Sequence, residues 1–461
     1  MNISTAKLAP LWWDAVDAKV TRRAIVANVD ADIAIVGAGY TGLWCAYHLA
    51  GFDPSLKIVV VEAHHVGFGA SGRNGGWCHA EYPLGHGQLA HDHGRDAALR
   101  HMQALFASVD DVGNIARAEG INCDYDKGGV VTVARLPFQD AYAREEVDDA
   151  VSLGIHPDDI VYLSKAEARA RLNATNVVSG VWYRHGAAIH PAKLVHGLAR
   201  AAESRGVEIY ESSRVTAIRQ DGVVTRGGVV SADVTVLATE GFGSQLPGRK
   251  RIVLPLYSLM VATEPLTDTM WDDIGLANRE TFGDFRNLII YGQKTVDGRL
   301  AFGGRGAPYH FGSKISKSFD TPDEVHTELV RVLVEMFPQL ADVTVTHRWG
   351  GALGVPRDWR PAVTFDRTSG LAVAGGYVGD GVATAQLAGR TLAELICGLE
   401  TERTTLPWVS HEWPSWEVEP FRWIGINAGL AMARRADRNE ERRNKPSRLT
   451  DVGNWLRGKR R

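Results

Sequence analysis

The sequence predicts an α/β protein, because a strand, a glycine-rich turn and a helix follow one another at two places in the chain. Near the start, the apolar run Ile33–Val36 leads into a glycine turn and an apolar helix, and a second run, Ile58–Val61, ends at Glu62. Near the end, residues 370–396 repeat the order of strand, glycine turn and helix. The first segment is one βαβ unit of a parallel sheet, so the expected fold contains a Rossmann-type domain.

The composition is that of an ordinary globular protein. The chain has 461 residues, of which 45% are hydrophobic and 23% charged, and it is long enough for two packed cores. Its formal net charge of −3 gives no whole-molecule case for binding nucleic acid. The four cysteines lack CxxC spacing, which argues against a disulfide framework and fits a reducing compartment. Because the N-terminus is polar and the apolar runs are strand-length, we expect a cytoplasmic protein without a transmembrane segment.

Turn and capping residues place further elements. Pro191 is suited to the first position of a helix through residue 204, because its missing N–H is not needed there. A second helix is predicted over residues 322–336. Short strands are predicted at Glu208–Tyr210 and at residues 234–239, 288–291 and 300–302.

The first glycine turn has the spacing of the dinucleotide-binding fingerprint. Gly37 allows a tight turn, Gly39 lets a pyrophosphate approach the backbone, and Gly42 lets the helix pack on the strand. The helix start offers free N–H groups and a positive dipole end to the phosphate. An acid about 20 residues further on can bind both ribose hydroxyls. The pattern predicts an adenine dinucleotide without separating NAD from FAD, and its candidate contacts are Gly37, Gly39, Tyr40, Thr41, Gly42, Glu62 and Ala63.

Two further glycine-rich segments favour FAD over NAD. The first suits a large planar ligand that passes close to the backbone, and it consists of Gly69, Ala70, Ser71, Gly72, Arg73, Asn74, Gly75 and Gly76. The second opens a late helix, whose start can stabilise negative charge on a reduced flavin ring. Its candidate contacts are Gly376, Tyr377, Gly379, Asp380, Gly381, Val382 and Ala383. Either segment alone is open to interpretation as a plain glycine turn, but an NAD dehydrogenase has no need of the late one.

The order of these motifs resembles the D-amino-acid oxidase and glycine oxidase family of flavoproteins. The loop from Gly69 to Gly76 and the pair Trp12 and Trp13 resemble the branch that contains gamma-glutamylputrescine oxidase. The likeness covers about residues 10–400 and is most specific at residues 31–76 and 370–396. It implies a non-contiguous FAD-binding domain, an antiparallel-sheet substrate domain that roofs the flavin, and oxidation of a C–N bond by hydride transfer to FAD.

The resemblance also implies positions on the cofactor. The backbone of Val215 is expected to contact the adenine side, and Arg360 to support the pyrimidine end of the flavin. The family's turn after a strand is matched by Ala238, Thr239 and Gly241, although Glu240 departs from it. His190 stands where the family often has Asp.

Some relatives attach the flavin covalently, and a cysteine anchor is expected near Trp349 and Gly350. No cysteine lies there, and His79 is more simply interpreted as a pocket-lining residue than as an anchor. We therefore expect FAD to be bound non-covalently, with Gly350 among its contacts.

The expected domain boundaries follow from these assignments. An N-terminal arm covers residues 1–30, and a basic helical tail covers residues 406–461. The FAD-binding domain is expected at residues 31–90, 160–250 and 345–405, and the substrate domain at residues 91–159 and 251–344.

Candidate residues on the substrate side are harder to assign. Arg286 and Arg305 are candidates to clamp a substrate carboxylate with two hydrogen bonds, and a surface ion pair is an equally good interpretation of each. Tyr291 and Tyr257 are candidates for an aromatic box around an amine, although ordinary core packing explains either residue as well. Trp349 is placed beside the flavin ring.

A metal site is not expected. Only two pairs among the candidate ligands are adjacent or alternate in sequence, and no helical carboxylate-plus-histidine spacing accompanies them. The candidates are Cys78, His79, His86, His91, His93 and His101.

The predicted activity is oxidation of a small-molecule amine or amino acid to an imine, with O₂ reoxidising the flavin and giving H₂O₂. One alternative is a dehydrogenase that passes electrons to a quinone or a carrier protein. Its docking surface would be the tail, where eleven Lys and Arg stand against four Asp and Glu between Arg434 and Arg461. The segment Phe421–Arg443 is predicted to be an amphipathic helix docked on its own enzyme rather than on a membrane or partner. The other alternative is a non-enzymatic flavin-binding partner protein.

Overall fold

The computed structural model describes residues 1, 3–16 and 22–450. The strands are β1 (Val29–Asp30), β2 (Ile33–Val36), β3 (Ile58–Val61), β4 (Trp77–His79), β5 (Val130–Ala134), β6 (Ile160–Leu163), β7 (Ser179–Tyr183), β8 (Gly186–Ala188), β9 (Glu208–Tyr210), β10 (Val215–Arg219), β11 (Gly222–Thr225), β12 (Val229–Ser231), β13 (Val234–Leu237), β14 (Val253–Thr263), β15 (Thr281–Asp284), β16 (Ile290–Lys294), β17 (Leu300–Gly304), β18 (Val345–Pro356), β19 (Ala362–Asp366) and β20 (Leu371–Gly375). The α-helices are α1 (Tyr40–Phe52), α2 (His86–His93), α3 (Arg95–Ala118), α4 (Gln139–Leu153), α5 (Lys165–Arg171), α6 (Pro191–Glu203), α7 (Asp268–Ile274), α8 (Asp323–Met336), α9 (Gly381–Ile396) and α10 (Phe421–Arg443).

One sheet is of the predicted Rossmann type. Its strand order is β19-β20-β13-β2-β3-β9, and all neighbours are parallel except β19, which runs antiparallel to β20. Every residue of β2 and β3 is buried, as expected for strands covered on both faces. One face packs against α1, α6 and α9, and the other against the smaller sheet β1-β12-β11-β10. The α/β prediction is confirmed.

A second, eight-stranded sheet has the order β18-β14-β17-β16-β15-β5-β7-β6. All its pairs are antiparallel except β15 with β5, which are parallel. Side chains alternate across it, so that one face packs on α8 in a separate core. The opposite face turns toward the Rossmann-type sheet and the glycine loops.

The sheets divide the chain at other points than the expected boundaries. Strands β6 and β7 lie within the expected FAD-binding segment 160–250, but β7 pairs with both β5 and β6, so both strands belong to the eight-stranded sheet. Strand β18 begins at residue 345 and pairs with β14 along its length, so it belongs to the same sheet. Which sheet a strand joins depends on pairing between distant segments, and the local sequence pattern does not reveal it.

The C-terminal helix α10 has the predicted bounds and docks on the protein itself. Asp437 accepts hydrogen bonds from the backbone N–H groups of Asn287 (2.7 Å) and Leu288 (3.1 Å). Arg434 donates to the carbonyl of Gly306. Residues 451–461 of the basic tail lie outside the described residues. Within the described part of the chain, no helix has the length and apolar character needed to span a membrane.

Candidate active site

The first glycine turn has the geometry that a pyrophosphate site requires. Gly37 has φ of +108°, and a Cβ there would lie 2.6 Å from the carbonyl oxygen of Ala238. A Cβ on Gly42 would lie 2.1 Å from the carbonyl oxygen of Gly37, so the helix packs on the turn only with glycine at that position. Gly39 caps the N-terminus of α1, which points its first N–H groups at the turn. These residues therefore fit the phosphate end of a dinucleotide.

Glu62 lies at the carboxyl end of β3, beside this turn. Its Oε2 accepts a hydrogen bond from the N–H of Ala38, and its Oε1 accepts one from the N–H of His64, each at 2.9 Å. Burial raises the pKa of Glu62, and these two N–H groups lower it, with a net pKa above the ordinary value. The carboxylate is thus fixed where a ribose would approach, with Ala63 directly after it.

The second glycine loop is held by indole and guanidinium groups. The N–H of Trp12 donates to the carbonyl of Asn74 (2.8 Å), that of Trp13 to Gly72 (3.1 Å), and that of Trp349 to Arg73 (2.8 Å). Trp349 is therefore packed beneath the loop against Trp12, with ring centroids 6.1 Å apart. The sequence marked Trp12 and Trp13 only by resemblance, whereas the structure gives them a positioning role.

Further hydrogen bonds join this loop to its surroundings. Ser71 Oγ accepts from the N–H of Tyr40 at 2.8 Å, which links the loop to the start of α1. Arg73 donates to Asp320 (2.7 Å) and to the carbonyl of Gly350 (3.2 Å), which links the loop to β18. Gly350 is thereby brought next to the loop.

The late glycine motif meets the first one across the molecule. The hydroxyl of Tyr377 lies 3.0 Å from Thr41 Oγ1, and Asp380 is the N-cap residue of α9. The N–H of Tyr377 donates to Oε1 of Glu240 at 3.1 Å. Val382 and Ala383 are buried in the first turn of α9. Residues that are far apart in sequence thus form one site.

Glu240 is a feature that sequence reasoning noticed but did not explain. Its φ is +45°, and its Oε2 is buried without a hydrogen-bond partner among the described residues. Burial raises the pKa of Glu240 to about 7, although the N–H groups of Tyr377 and Gly376 lower it. A carboxyl group therefore stands between the late motif and the turn of Ala238, Thr239 and Gly241.

A cavity of about 440 Å³ lies between these loops and the inner face of the eight-stranded sheet. Predicted residues that line it are Tyr40, Thr41, Ala70, Ser71, Arg73, Asn74, Gly75, Arg286, Tyr291, Arg305, Tyr377, Gly379, Asp380, Gly381 and Val382. Other predicted residues lie outside that lining, among them Gly37, Gly39, Gly42, Glu62, Tyr257, Trp349, Arg360 and Val215. The cavity is the place where a flavin held by the loops would meet a substrate under the sheet.

Of the residues predicted near the substrate and flavin ring, Tyr291 lines the cavity, whereas Tyr257 and Arg360 do not. The Tyr291 hydroxyl lies 2.7 Å from Ser258 Oγ, and a Cβ on Gly75 would lie 2.5 Å from its ring. Tyr257 instead packs in the core on the opposite face of the sheet, where its hydroxyl donates to the carbonyl of Ser316. Arg360 pairs with Asp92.

Both predicted clamp arginines reach the cavity but have partners within the protein. Arg286 pairs with Asp284, with its Nη2 2.8 Å from Oδ2. Arg305 donates from Nη2 to the carbonyl of Val378.

Among the described residues, one group of candidate metal ligands is close enough to share an ion. It consists of His79, Glu81 and Asp380, whose ligand atoms all lie within 4.8 Å of one another. His79 was predicted to line the pocket, and it does. Glu81 was missed, because no spacing links it to Asp380 in the sequence.

Comparison with known proteins gives the family. The model of the FAD-dependent oxidoreductase family DAO matches residues 32–395. The chain is 31% identical over 377 residues to the probable oxidoreductase OrdL of Rhizobium meliloti (strain 1021), covering 81% of this chain and 84% of the relative. It is 32% identical over 380 residues to the gamma-glutamylputrescine oxidoreductase of Escherichia coli (strain K12), covering 80% and 84%.

A solved structure shows the same fold. Glycine oxidase from Geobacillus kaustophilus superimposes with a TM-score of 0.68 at 20% identity, covering 83% of this chain and 99% of that one. The resemblance inferred from the motifs is confirmed. This chain belongs to the DAO family of FAD-dependent oxidoreductases, and FAD is the cofactor that its glycine loops fit.

Proposed function

We propose that the protein oxidises the C–N bond of a small amine or amino acid to an imine, which water then hydrolyses. The observation that carries the proposal is the single cavity in which three glycine motifs meet the inner face of the eight-stranded sheet. Bound FAD would supply the redox chemistry, namely acceptance of a hydride from the substrate's α-carbon and reoxidation by O₂ to H₂O₂.

The residues of the chain act by positioning and by electrostatics. The turn at Gly37 and Gly39, with the N-terminus of α1, binds the pyrophosphate, and Glu62 binds the ribose. The N-terminus of α9 stabilises negative charge at the ring end of the site. Tyr291 and Ser258 cover the cavity from the sheet and exclude water from it.

The test is anaerobic mixing of the purified yellow protein with a panel of amines and amino acids while the flavin absorbance is recorded. We expect bleaching by at least one amine class, and H₂O₂ in stoichiometric amount when O₂ is admitted. Acid precipitation should release FAD into the supernatant, because the proposed attachment is non-covalent. Flavin that stays oxidised with every compound would contradict the enzymatic proposal and favour a non-enzymatic flavin-binding protein.

A dehydrogenase is the second candidate, and one observation favours it. Helix α10 exposes Phe421, Trp423 and Ile424 at its start, as a surface for a carrier would. Bleaching followed by slow reoxidation in air, but fast reoxidation by a soluble quinone, would select this candidate over the oxidase.

A further inference from the structure

More carboxyl groups than guanidinium groups line the cavity. Three guanidinium groups and six carboxyl groups line it, the acids being Glu81, Glu146, Asp159, Glu240, Asp284 and Asp380. Arg286 is paired with Asp284, while Arg73 and Asp159 are paired with Asp320 and Arg184, which lie outside the cavity lining. The charge of the cavity therefore favours a cation over a carboxylate.

Arg305 is the remaining guanidinium, and it also faces an acid of the protein. Its Nη2 donates to the carbonyl of Val378, and its positive charge lowers the pKa of Asp380. A bidentate clamp would need one edge of the guanidinium directed at the substrate. We therefore interpret the positive charge of Arg305 as compensating the negative charge of Asp380, which lies two residues after Val378.

His79, Glu81 and Asp380 form a compact group on the cavity wall, which we call the acid cluster. His79 ends strand β4, Glu81 lies in the exposed segment after it, and Asp380 caps α9. Their side-chain ligand atoms lie within 4.8 Å of one another, close enough to surround one cationic group. Two carboxylates that converge in this way repel each other, and a cation between them removes the repulsion.

His79 supplies an independent sign of an absent ligand. Its side chain is 9% exposed, and Nδ1 is buried without a hydrogen bond to the described residues. Glu81 Oε2 lies 3.3 Å from this nitrogen, but not in a hydrogen-bonding geometry. A buried polar atom without a hydrogen bond is costly, and a ligand in the cavity could supply one.

Aromatic rings contact His79, one member of the acid cluster. Trp77 makes edge contacts with His79 and with Tyr291, each at 5.8 Å between ring centroids, and Tyr183 contacts His79 at 6.0 Å. Aromatic rings lining a cavity are a common part of sites that bind ammonium groups. The rest of the wall offers apolar side chains for a hydrocarbon chain, among them Met102, Phe106, Ile155 and Ile160.

The ionisation behaviour of Asp380 agrees with this geometry. Burial and the charge of Glu81 raise its pKa, Arg305 and His79 lower it, and the net pKa is about 7. A positive charge beside Asp380 would favour its ionised form.

We propose that the acid cluster is an ammonium-binding site, in which Asp380 and Glu81 hold the positive group of an alkylamine that carries no carboxylate on its α-carbon. This inference rests on the proposed function and names its substrate class. It makes Asp380 and Glu81 the residues that select amines over amino acids, with His79 and Trp77 as the wall behind them.

The test uses two ligands that cannot be oxidised, because their α-carbon carries no hydrogen. tert-Butylamine is a plain cation, and 2-aminoisobutyrate is the same skeleton with one methyl group replaced by a carboxylate. Calorimetric titration of the holoenzyme should show tert-butylamine binding at least tenfold more tightly. Asp380→Asn and Glu81→Gln, each compared as protein loaded with equal amounts of FAD, should weaken tert-butylamine at least tenfold.

Glu145→Gln is the matched control, since Glu145 is an exposed acid on α4 that does not line the cavity. It should leave both affinities within twofold. Tighter binding of 2-aminoisobutyrate than of tert-butylamine in the wild-type holoenzyme would overturn the inference without any variant. Binding of Zn²⁺ that displaces the amine at micromolar concentration would also overturn it, in favour of a metal site.

The outcome is separable from that of the proposed function. If amino acids bleach the flavin and Asp380→Asn does not alter their binding, the proposed oxidase activity is supported and the proposed ammonium site is contradicted. If tert-butylamine binds as described but no amine bleaches the flavin, the proposed ammonium site is supported and the proposed oxidase activity is contradicted.

Discussion

Arg286 forms a two-pronged ion pair with Asp284, in which Nε lies 2.9 Å from both carboxylate oxygens and Nη2 lies 2.8 Å from Oδ2. Arg135 approaches the same carboxylate, with Nη1 3.6 Å from Oδ2. The side chains of Arg286 and Asp284 are 11% and 4% exposed. The sequence analysis proposed Arg286 as a clamp for a substrate carboxylate, but its guanidinium is paired with Asp284 in the cavity wall.

Arg286→Met should destabilise the protein, because it leaves Asp284 buried with less of its compensating charge. Loss of one member of a buried pair costs about 3 kcal/mol, and Arg135 should reduce that cost. We expect Tm to fall by several degrees. The double variant Asp284→Asn with Arg286→Met should recover part of the loss, and thermal unfolding of the three proteins checks both statements. An unchanged Tm in the single variant would mean that Arg286 is not needed to neutralise Asp284.

Arg305→Lys separates the two interpretations of this residue. Lysine keeps the positive charge near Asp380 but loses the planar fork. If Arg305 only offsets Asp380, KM for the best amine substrate should stay within about twofold and the flavin spectrum should not change. A KM that rises tenfold on a carboxylate-bearing substrate would instead assign Arg305 to a carboxylate clamp.

Gly39→Val should abolish FAD binding. A Cβ at this position would lie 2.9 Å from Ser71 Oγ, and the larger side chain would stand between the backbone and the pyrophosphate. The measurement is the ratio of FAD to protein after purification. Gly429→Val is the control, because nothing lies within 4 Å of a Cβ on this glycine of α10. Full flavin content in Gly39→Val would place the phosphate site elsewhere.

Asp437→Ala should loosen the cavity wall. Asp437 accepts hydrogen bonds from Asn287 and Leu288, which lie between the cavity-lining residues Arg286 and Ile289. Without them we expect faster proteolysis at this segment and weaker binding of tert-butylamine. Arg435→Ala, at an exposed position of the same helix, should change neither. Equal protease resistance of both variants would show that α10 does not support the wall.

The parts of the fold that were predictable from sequence are those set by local pattern. The turn at Gly37 and the bounds of α10 follow from short-range spacing, and both agree with the structure. Tyr257 and Tyr291 lie on strands of the same sheet, but on opposite faces. A strand alternates its side chains, and the sequence does not say which set faces the cavity. Glu81 and Asp380 are brought together by the packing of segments far apart in the chain, so the spacing of motifs in the sequence did not predict the acid cluster.

The pH dependence of amine binding follows from the acid cluster. The pKa of Asp380 in the protein is about 7, raised by burial and Glu81 above its ordinary value. Below that pH the carboxyl group is protonated and uncharged, so a cation gains little from it. Affinity for tert-butylamine should therefore rise roughly tenfold between pH 6 and pH 8, as the ionised fraction of one such group does. Calorimetric titration at several pH values measures this rise.

Other charged groups around Asp380 set the control. Burial lowers the pKa of His79, but its contact with Glu81 and the charges of Glu81 and Asp380 raise it above the ordinary value. Deprotonation of His79 also favours a cation as pH rises. Tyr291 is nearby and stays neutral, because burial raises its pKa above the ordinary value. In Asp380→Asn the contribution of His79 remains, and the rise should be smaller than in the wild type. The same tenfold rise in Asp380→Asn would mean that another group carries the titration, and Asp380 would then lose its role in holding the ammonium group.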